Sequence, residues 1–258
     1  MIELRGVHFA YNERPILRNV SFRVEDSESV VILGPSGSGK STILRLILGL
    51  ECPQEGEVIV DHRDICHLDI RTKRQIRKKI GMVFQDGALF DSLNVAENVG
   101  YYLLEHTNAS LEEIDARVRE ILGFVGLKPD EIVDVLPEQL SGGMQRRVAI
   151  ARALLSTDPQ IMLYDEPTTG LDPQATSKVL ALIQKLQSER SISSIVVTHQ
   201  IADAVSLSRR FIVIVDGAVA FDGSLRELRD CPDPRVQSFL GPFKESFDEV
   251  VRQEFMRY

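Results

Sequence analysis

Val30-Val31-Ile32-Leu33-Gly34-Pro35-Ser36-Gly37-Ser38-Gly39-Lys40-Ser41-Thr42 is the stretch that decides the fold. Its opening apolar run reads as a strand buried on both faces, the form a central parallel strand takes. The run enters a turn rich in Gly and Ser, which opens into Ile43 to Leu50, apolar at helical spacing. Gly34 to Ser41 matches G-x-x-x-x-G-K-[ST] in that strand–turn–helix setting. Glycines let successive N–H groups face phosphate oxygens, and the helix start adds its positive end. Gly34, Pro35, Ser36, Gly37, Ser38, Gly39, Lys40, Ser41 and Thr42 are therefore expected to cradle nucleotide phosphates. Lys40 is expected at the β and γ phosphates and the Ser41 hydroxyl on Mg²⁺.

The same strand pattern recurs along the chain. Ile2 to Tyr11 and Val20 to Val24 alternate, and apolar runs return at Ile80 to Phe84, Ile161 to Tyr164, Ser194 to Thr198 and Phe211 to Val215. Asp216-Gly217 then predicts a hairpin turn into Ala218 to Phe221. The Ile161 run ends in Asp165-Glu166. At the tip of a strand parallel to the first, Asp165 can hold Mg²⁺ through water. Glu166, next along, can polarise an attacking water. Between about 95 and 155 the pattern is helical instead: Val95 to Glu105, Leu111 to Phe124 and Gly143 to Leu155. Pro173 to Arg190 carries Ala175, Val179, Leu182, Ile183 and Leu186 on one helical face. The expectation is an α/β core interrupted by a helical insert.

Composition narrows the class. The chain has 258 residues, 43% hydrophobic, with a formal net charge of −8. That balance argues against a polyanion binder, and no nucleic acid is expected. The basic run Arg71 to Lys79 reads as a solvated helix face. Cys52, Cys66 and Cys231 form no CxxC pair and fit reduced thiols. No apolar stretch approaches the ~18 to 20 residues a bilayer span needs, and Met1 to Arg5 lacks the shape of a signal peptide. A cytoplasmic location follows as an expectation, with any membrane role passing through a partner. Asp61, His62, Asp64, Cys66, His67 and Asp69 lie close together but match no zinc spacing, and read as a turn.

Leu140-Ser141-Gly142-Gly143-Met144-Gln145-Arg146-Arg147 resembles the signature motif of ABC ATPases, and it too precedes a helix. The family's remaining motifs stand in order over residues 2 to 229. The resemblance implies a P-loop NTPase (RecA-like) α/β core with an antiparallel β subdomain and an all-helical subdomain inserted at about 86–156. The ATPase domain would span 1–231. The resemblance further implies ATP and Mg²⁺ as ligands and ATP hydrolysis as the reaction. Tyr11 matches the aromatic that stacks on adenine, although its place at a strand end suits a core aromatic equally. Gln85 matches the glutamine that joins core to helical insert and ligates Mg²⁺ or its water. Gly170-Leu171-Asp172 matches the loop after the acidic strand. His199 matches the switch histidine that fixes the γ-phosphate and orients Glu166. Ser141, Gly142 and Gly143 open a helix as a second anion site, and the family uses it head to tail, each chain closing its partner's ATP. Met144 departs from the usual Gln and cannot donate that amide's hydrogen bonds, so the absence of a ribose contact is expected, with the anion-binding backbone untouched.

Two further stretches look like the ATPase of bacterial Mce/Mla-type lipid transporters: Gln85 to Val95 and Asp233 to Leu240. That likeness implies phospholipid transport between membranes. The partners would be a transmembrane permease, a periplasmic lipid-binding protein and a small accessory regulator, at the cytoplasmic face of an inner membrane. Leu89, Phe90 and Leu93 would line the permease groove, or else pack inside the helical insert. The ATPase of an amino-acid importer or a lipoprotein-release complex is the alternative, and a non-transport ABC ATPase a third. Residues 232–258 form a C-terminal extension in which Val236, Phe239, Leu240, Phe243, Phe247, Val250, Val251 and Phe255 suggest a long helix broken at Gly241-Pro242. Such a stripe is expected to need a second chain or an accessory protein to cover it.

Overall fold

The computed structural model describes residues 1–157, 159–190 and 192–243. Strands β1 (Ile2–Tyr11), β2 (Arg14–Val24) and β3 (Ser29–Leu33) lead into helix α1 (Lys40–Ile47). Next come β4 (Glu55–Val60), β5 (Arg63–Asp64), α2 (Ile70–Arg77) and β6 (Ile80–Val83). Helices α3 (Val95–His106), α4 (Leu111–Phe124), α5 (Pro129–Ile132) and α6 (Gly142–Thr157) precede β7 (Ile161–Asp165) and α7 (Pro173–Arg190). The described chain ends with β8 (Ser193–Thr198), α8 (Ile201–Leu207), β9 (Arg210–Val215), β10 (Ala218–Ser224), α9 (Leu225–Arg229) and α10 (Pro234–Leu240). These elements divide into two compact units, Met1–Ile76 with the chain from Ser193 onward, and Arg77–Ile192.

The first unit holds two layers of strand. One is antiparallel, in the order β2-β1-β4-β5. In the other, β3 lies between β8 and β9 and parallel to both, with β10 antiparallel along β9. Val30 to Leu33 are at most 1% exposed, which is why β3 is apolar at every position rather than at alternate ones. Arg210 ties the edges together. It donates to both oxygens of Asp222 at 2.8 Å, to Glu28 at 2.9 Å and to the Arg23 carbonyl at 2.8 Å. The Asp222 bonds first, then Glu28, raise its guanidinium pKa above the ordinary arginine value.

Two expectations change in this unit. Cys52 and Cys66 form a disulfide, with Cα atoms 5.6 Å apart, and only Cys231 is a free, buried thiol among the described residues. The β4–β5 hairpin folds the chain back between the two, which no sequence spacing announces. What covers the tail also differs. Asp233 caps α10 through the Arg235 N–H at 2.8 Å, and the helix stops where Gly241-Pro242 begins, the break that the sequence predicts. Val236 and Leu240 are buried within this one chain at 0% and 4% exposure, so this part of the stripe already has its cover. Phe247, Val250, Val251 and Phe255 lie outside the described residues, as does the side chain of Phe243.

The second unit pairs β6 parallel with β7 and adds the helices α3 to α7. Capping boxes open two of them: Asn94 with Glu97 at α3, and Ser110 with Glu113 at α4. Val99, Leu103, Val118, Leu122, Val148 and Ile150 fill the helical core. Val179, Leu182, Ile183 and Leu186 of α7 are buried, as their spacing predicts.

Candidate functional site

In the first unit the glycine turn is held by packing as well as by backbone preference. Gly34 has φ +153°, and a Cβ there would stand 2.1 Å from the Ile214 carbonyl oxygen of β9. Gly39 has φ +98°, and its Cβ would meet Leu17 Cδ2 at 2.6 Å. Neither position admits a side chain, so the loop curls against β9 and β2. Gly39 stands at the α1 N-cap with no side-chain cap, which leaves first-turn N–H groups to an anion. Lys40, 6% exposed, folds its Nζ onto the Gly34 and Pro35 carbonyls at 2.9 and 3.0 Å. The buried Ser38 hydroxyl has no hydrogen-bond partner among the described residues. An orphaned donor, an ammonium drawn over the loop and a cradle that a methyl would fill all fit a polyphosphate. Pro35, Ser36, Gly37 and Ser41 are exposed, and Thr42 half-buried.

Sheet register brings His199 beside that loop. Leu33 pairs with Thr198 across β3 and β8, so Gly34 and His199 leave neighbouring parallel strands at the same level. Tyr11 closes β1 with its ring edge-on to Phe9 at 4.7 Å and its hydroxyl 3.4 Å from a Glu51 oxygen. It is 36% exposed, which leaves part of the ring open for stacking. Asp64 and Asp69 spend oxygens on local groups, the Cys66 N–H for one, and the Arg71 and Thr72 N–H groups for the other.

In the second unit Val83 pairs with Tyr164, so Gln85 and Glu166 likewise leave adjacent parallel strands at one level. Asp165 ends β7 half-buried, and Glu166 is 8% exposed with φ +48°, an uncommon conformation for a side chain of this kind. Its carboxylate accepts the Thr169 hydroxyl at 3.0 Å. Gln85 is exposed. At the head of α6 the Ser141 hydroxyl accepts the Met144 N–H at 3.4 Å, while Ser141 and Gly142 stay exposed. Gly143 serves packing: a Cβ there would lie 2.6 Å from Ala175 Cβ on α7.

The sequence profile of the ABC transporter family matches residues 17–169. The chain belongs to the ABC transporter family. It is similar to the intermembrane phospholipid transport system ATP-binding protein MlaF of Haemophilus influenzae, at 37% identity over 99% of this chain and 98% of that one. It is also similar to the glutamine transport ATP-binding protein GlnQ of Escherichia coli, at 42% identity over 93% of this chain and 98% of that one. Among solved structures it resembles the dimeric post-hydrolysis state of the ATP-binding cassette MJ0796 bound to ADP and Pi. There the TM-score is 0.79 and the identity 39%, over 88% of this chain and 99% of that one. The protein is thus an ATP-hydrolysing ABC cassette with a P-loop NTPase fold, using ATP with Mg²⁺. No helix among the described residues is long and apolar enough to cross a membrane.

Several side chains around the segment after Gln85 have bonds that no motif assigns. Asn98, fully buried on α3, accepts the Phe90 N–H at 2.8 Å and donates to the carbonyls of Phe90, Leu93 and Asn94 at 3.0, 2.8 and 3.1 Å. Arg152 donates to the Ala88 and Gly87 carbonyls at 2.8 and 2.9 Å and lies over the Phe90 ring. Together they fix the segment after Gln85. Phe90 stays 44% exposed against Tyr101, at the edge of an apolar cavity of about 380 Å³. Leu89 and Leu93 are half-buried. Burial lowers the pKa of both the Arg146 and Arg152 guanidinium groups, with Asp86 opposing it at Arg146. A buried polar residue inside an apolar helix face is the one sequence clue to Asn98.

Proposed function

We propose that this cassette powers the movement of phospholipid between two membranes through a separate permease. The supporting observation is likeness from end to end, C-terminal helix included, to an ATPase whose name records intermembrane phospholipid transport. Residue roles follow the motifs: the Gly34 to Thr42 loop takes the phosphates, Lys40 the β and γ groups, and Tyr11 the adenine. Glu166 acts as general base and His199 orients it. Ser41, Gln85 and Asp165 hold Mg²⁺, which supplies charge neutralisation at the phosphates. Ser141, Gly142 and Gly143 close the ATP of a second copy of the chain. The permease places the pair at the cytoplasmic face of an inner membrane, with a periplasmic lipid-binding protein and an accessory regulator in the same assembly.

The higher identity to a glutamine-transport ATPase favours a second reading, the cassette of an amino-acid importer. Purifying the native membrane complex and identifying its permease separates the two. Turnover stimulated by phospholipid, with a lipid-handling permease present, is expected. An amino-acid permease, with stimulation by its binding protein, overturns the lipid reading and leaves the ATPase intact.

A further inference from the structure

We propose that Thr169 and Arg146 are positioning residues that fasten the Glu166 carboxylate to the signature helix. The proposal rests on the reading of Glu166 as the general base. All of its contacts lie within the second unit.

Thr169 grips Glu166 twice. Its hydroxyl donates to a carboxylate oxygen at 3.0 Å, and its N–H donates to the Glu166 carbonyl at 3.3 Å. Glu166 itself sits at φ +48°, so the turn from β7 must hold both the backbone and the carboxylate in place. The carbonyl of Thr169 in turn accepts Nη2 of Arg146 at 3.4 Å. The same guanidinium donates Nη1 to the Phe84 carbonyl at 3.1 Å, one residue before Gln85. Arg146 is carried on α6, three positions after Gly143.

The chemistry of Arg146 argues that this reach is its purpose. It is 7% exposed, and its Nε finds no partner among the described residues. Packing alone does not call for a cation there, because an apolar chain of similar length fills the same space without desolvating a charge. A planar fork does what an apolar chain cannot, holding two carbonyls from two loops at once. One side chain of the signature helix thereby fixes the strand end that carries Gln85 and the turn that carries Glu166. A shift of α6, whose N-terminus is the expected contact with the partner's nucleotide, is felt at this chain's own carboxylate. The two sites of a pair are coupled through Arg146, Thr169 and Glu166.

The test uses the purified full-length protein and five variants: Thr169→Val, Thr169→Ser, Arg146→Lys, the Thr169→Val/Arg146→Lys double and Glu166→Gln. Turnover, KM for ATP, Hill coefficient, affinity for a fluorescent ATP analogue and melting temperature are read for each. Thr169→Val is expected to lower kcat about tenfold with KM and nucleotide affinity within about twofold, and to lower the Hill coefficient. Thr169→Ser, which restores the hydroxyl, returns most of the lost kcat. Arg146→Lys lowers kcat in the same way, and the double variant loses no more than the worse single, as residues acting in series do. Unchanged kcat in Thr169→Val, no recovery in Thr169→Ser, or losses that multiply in the double variant overturns the proposal. Should Arg146→Lys fail to fold, the Val and Ser variants of Thr169 still decide it. Normal turnover in Glu166→Gln overturns the base reading instead. An inactive Glu166→Gln beside a normal Thr169→Val overturns the positioning alone.

Discussion

Asn98→Asp keeps the shape of a buried side chain and inverts half of its hydrogen bonding. The Phe90 N–H still finds an acceptor where Oδ1 stands at 2.8 Å. The other terminal atom is an amide nitrogen that serves three carbonyls, those of Phe90, Leu93 and Asn94 at 3.0, 2.8 and 3.1 Å. In the variant an oxygen faces those same oxygens, shut off from bulk solvent because Asn98 is 0% exposed. Disrupting a buried polar network so that a charge is left uncompensated costs about 3–5 kcal/mol. Taking about 3 kcal/mol at neutral pH, and 2–4 °C per kcal/mol for a chain of this size, the melting temperature falls by roughly 6–12 °C. The deficit also depends on pH, and its sign is fixed. Burial among carbonyls raises the new carboxyl above its unfolded value of about 3.9, and about 3 kcal/mol corresponds to about two pH units. The unfolded chain therefore ionises from about pH 4 and the folded chain only from about pH 6. The penalty grows as pH rises through that window and shrinks on acidification. A protonated carboxyl donates one hydrogen bond in place of the amide's two N–H groups, so part of the deficit persists in acid and brings the upper edge of that window somewhat below about pH 6. Melting wild type and variant in parallel from about pH 5 to pH 8 measures this. Equal deficits at both ends, or a difference below about 2 °C throughout, refutes the account of Asn98 as the pin of the segment after Gln85.

Glu166→Gln is expected to lower kcat by about 10²- to 10⁴-fold while ATP still binds. Phosphate release, and size-exclusion chromatography in ATP for a stable pair, read the two effects; normal turnover contradicts the role. A chain ended after residue 231 loses the burial of Val236 and Leu240, roughly 3–6 kcal/mol at 1.5–3 each, whereas one ended after residue 243 keeps both. Equal melting temperatures for the two truncations would show that α10 contributes nothing to its own core. Cys66→Ser opens a crosslink spanning 14 residues and is expected to cost about 3 kcal/mol. Reductant should reproduce that loss in wild type, and an unchanged melting temperature in both contradicts it.

Where structure is written as apolar periodicity or as a glycine that no other residue can replace, the sequence is legible. The run Val30 to Leu33, the helix from Lys40 and the bounds of α4 and α7 are of that kind. Gly34 to Ser41 and Asp165-Glu166 are legible as patterns, and the structure places the first in a strand–helix turn and the second at a strand tip, as those patterns predict. The tail is a different case. Its stripe states that an apolar face must be covered but not by what, and for Val236 and Leu240 the cover is this chain itself. Cys52 and Cys66 meet only once a hairpin has formed between them.

Asn98, Arg146 and Thr169 show the deeper reason for illegibility. Most of what they bond to is backbone: the carbonyls of Phe84, Phe90, Leu93, Asn94 and Thr169, and the Phe90 N–H. A peptide carbonyl is chemically the same whichever residue carries it, so no spacing pairs it with its donor. Only the placement of strand ends and loops does so. Those placements put Phe84 and Thr169 within reach of one guanidinium, and Thr169 within reach of Glu166. Motif residues specify which chemistry the cassette performs. The side chains that brace the backbone beside them are chosen by its geometry, and they become visible only with it.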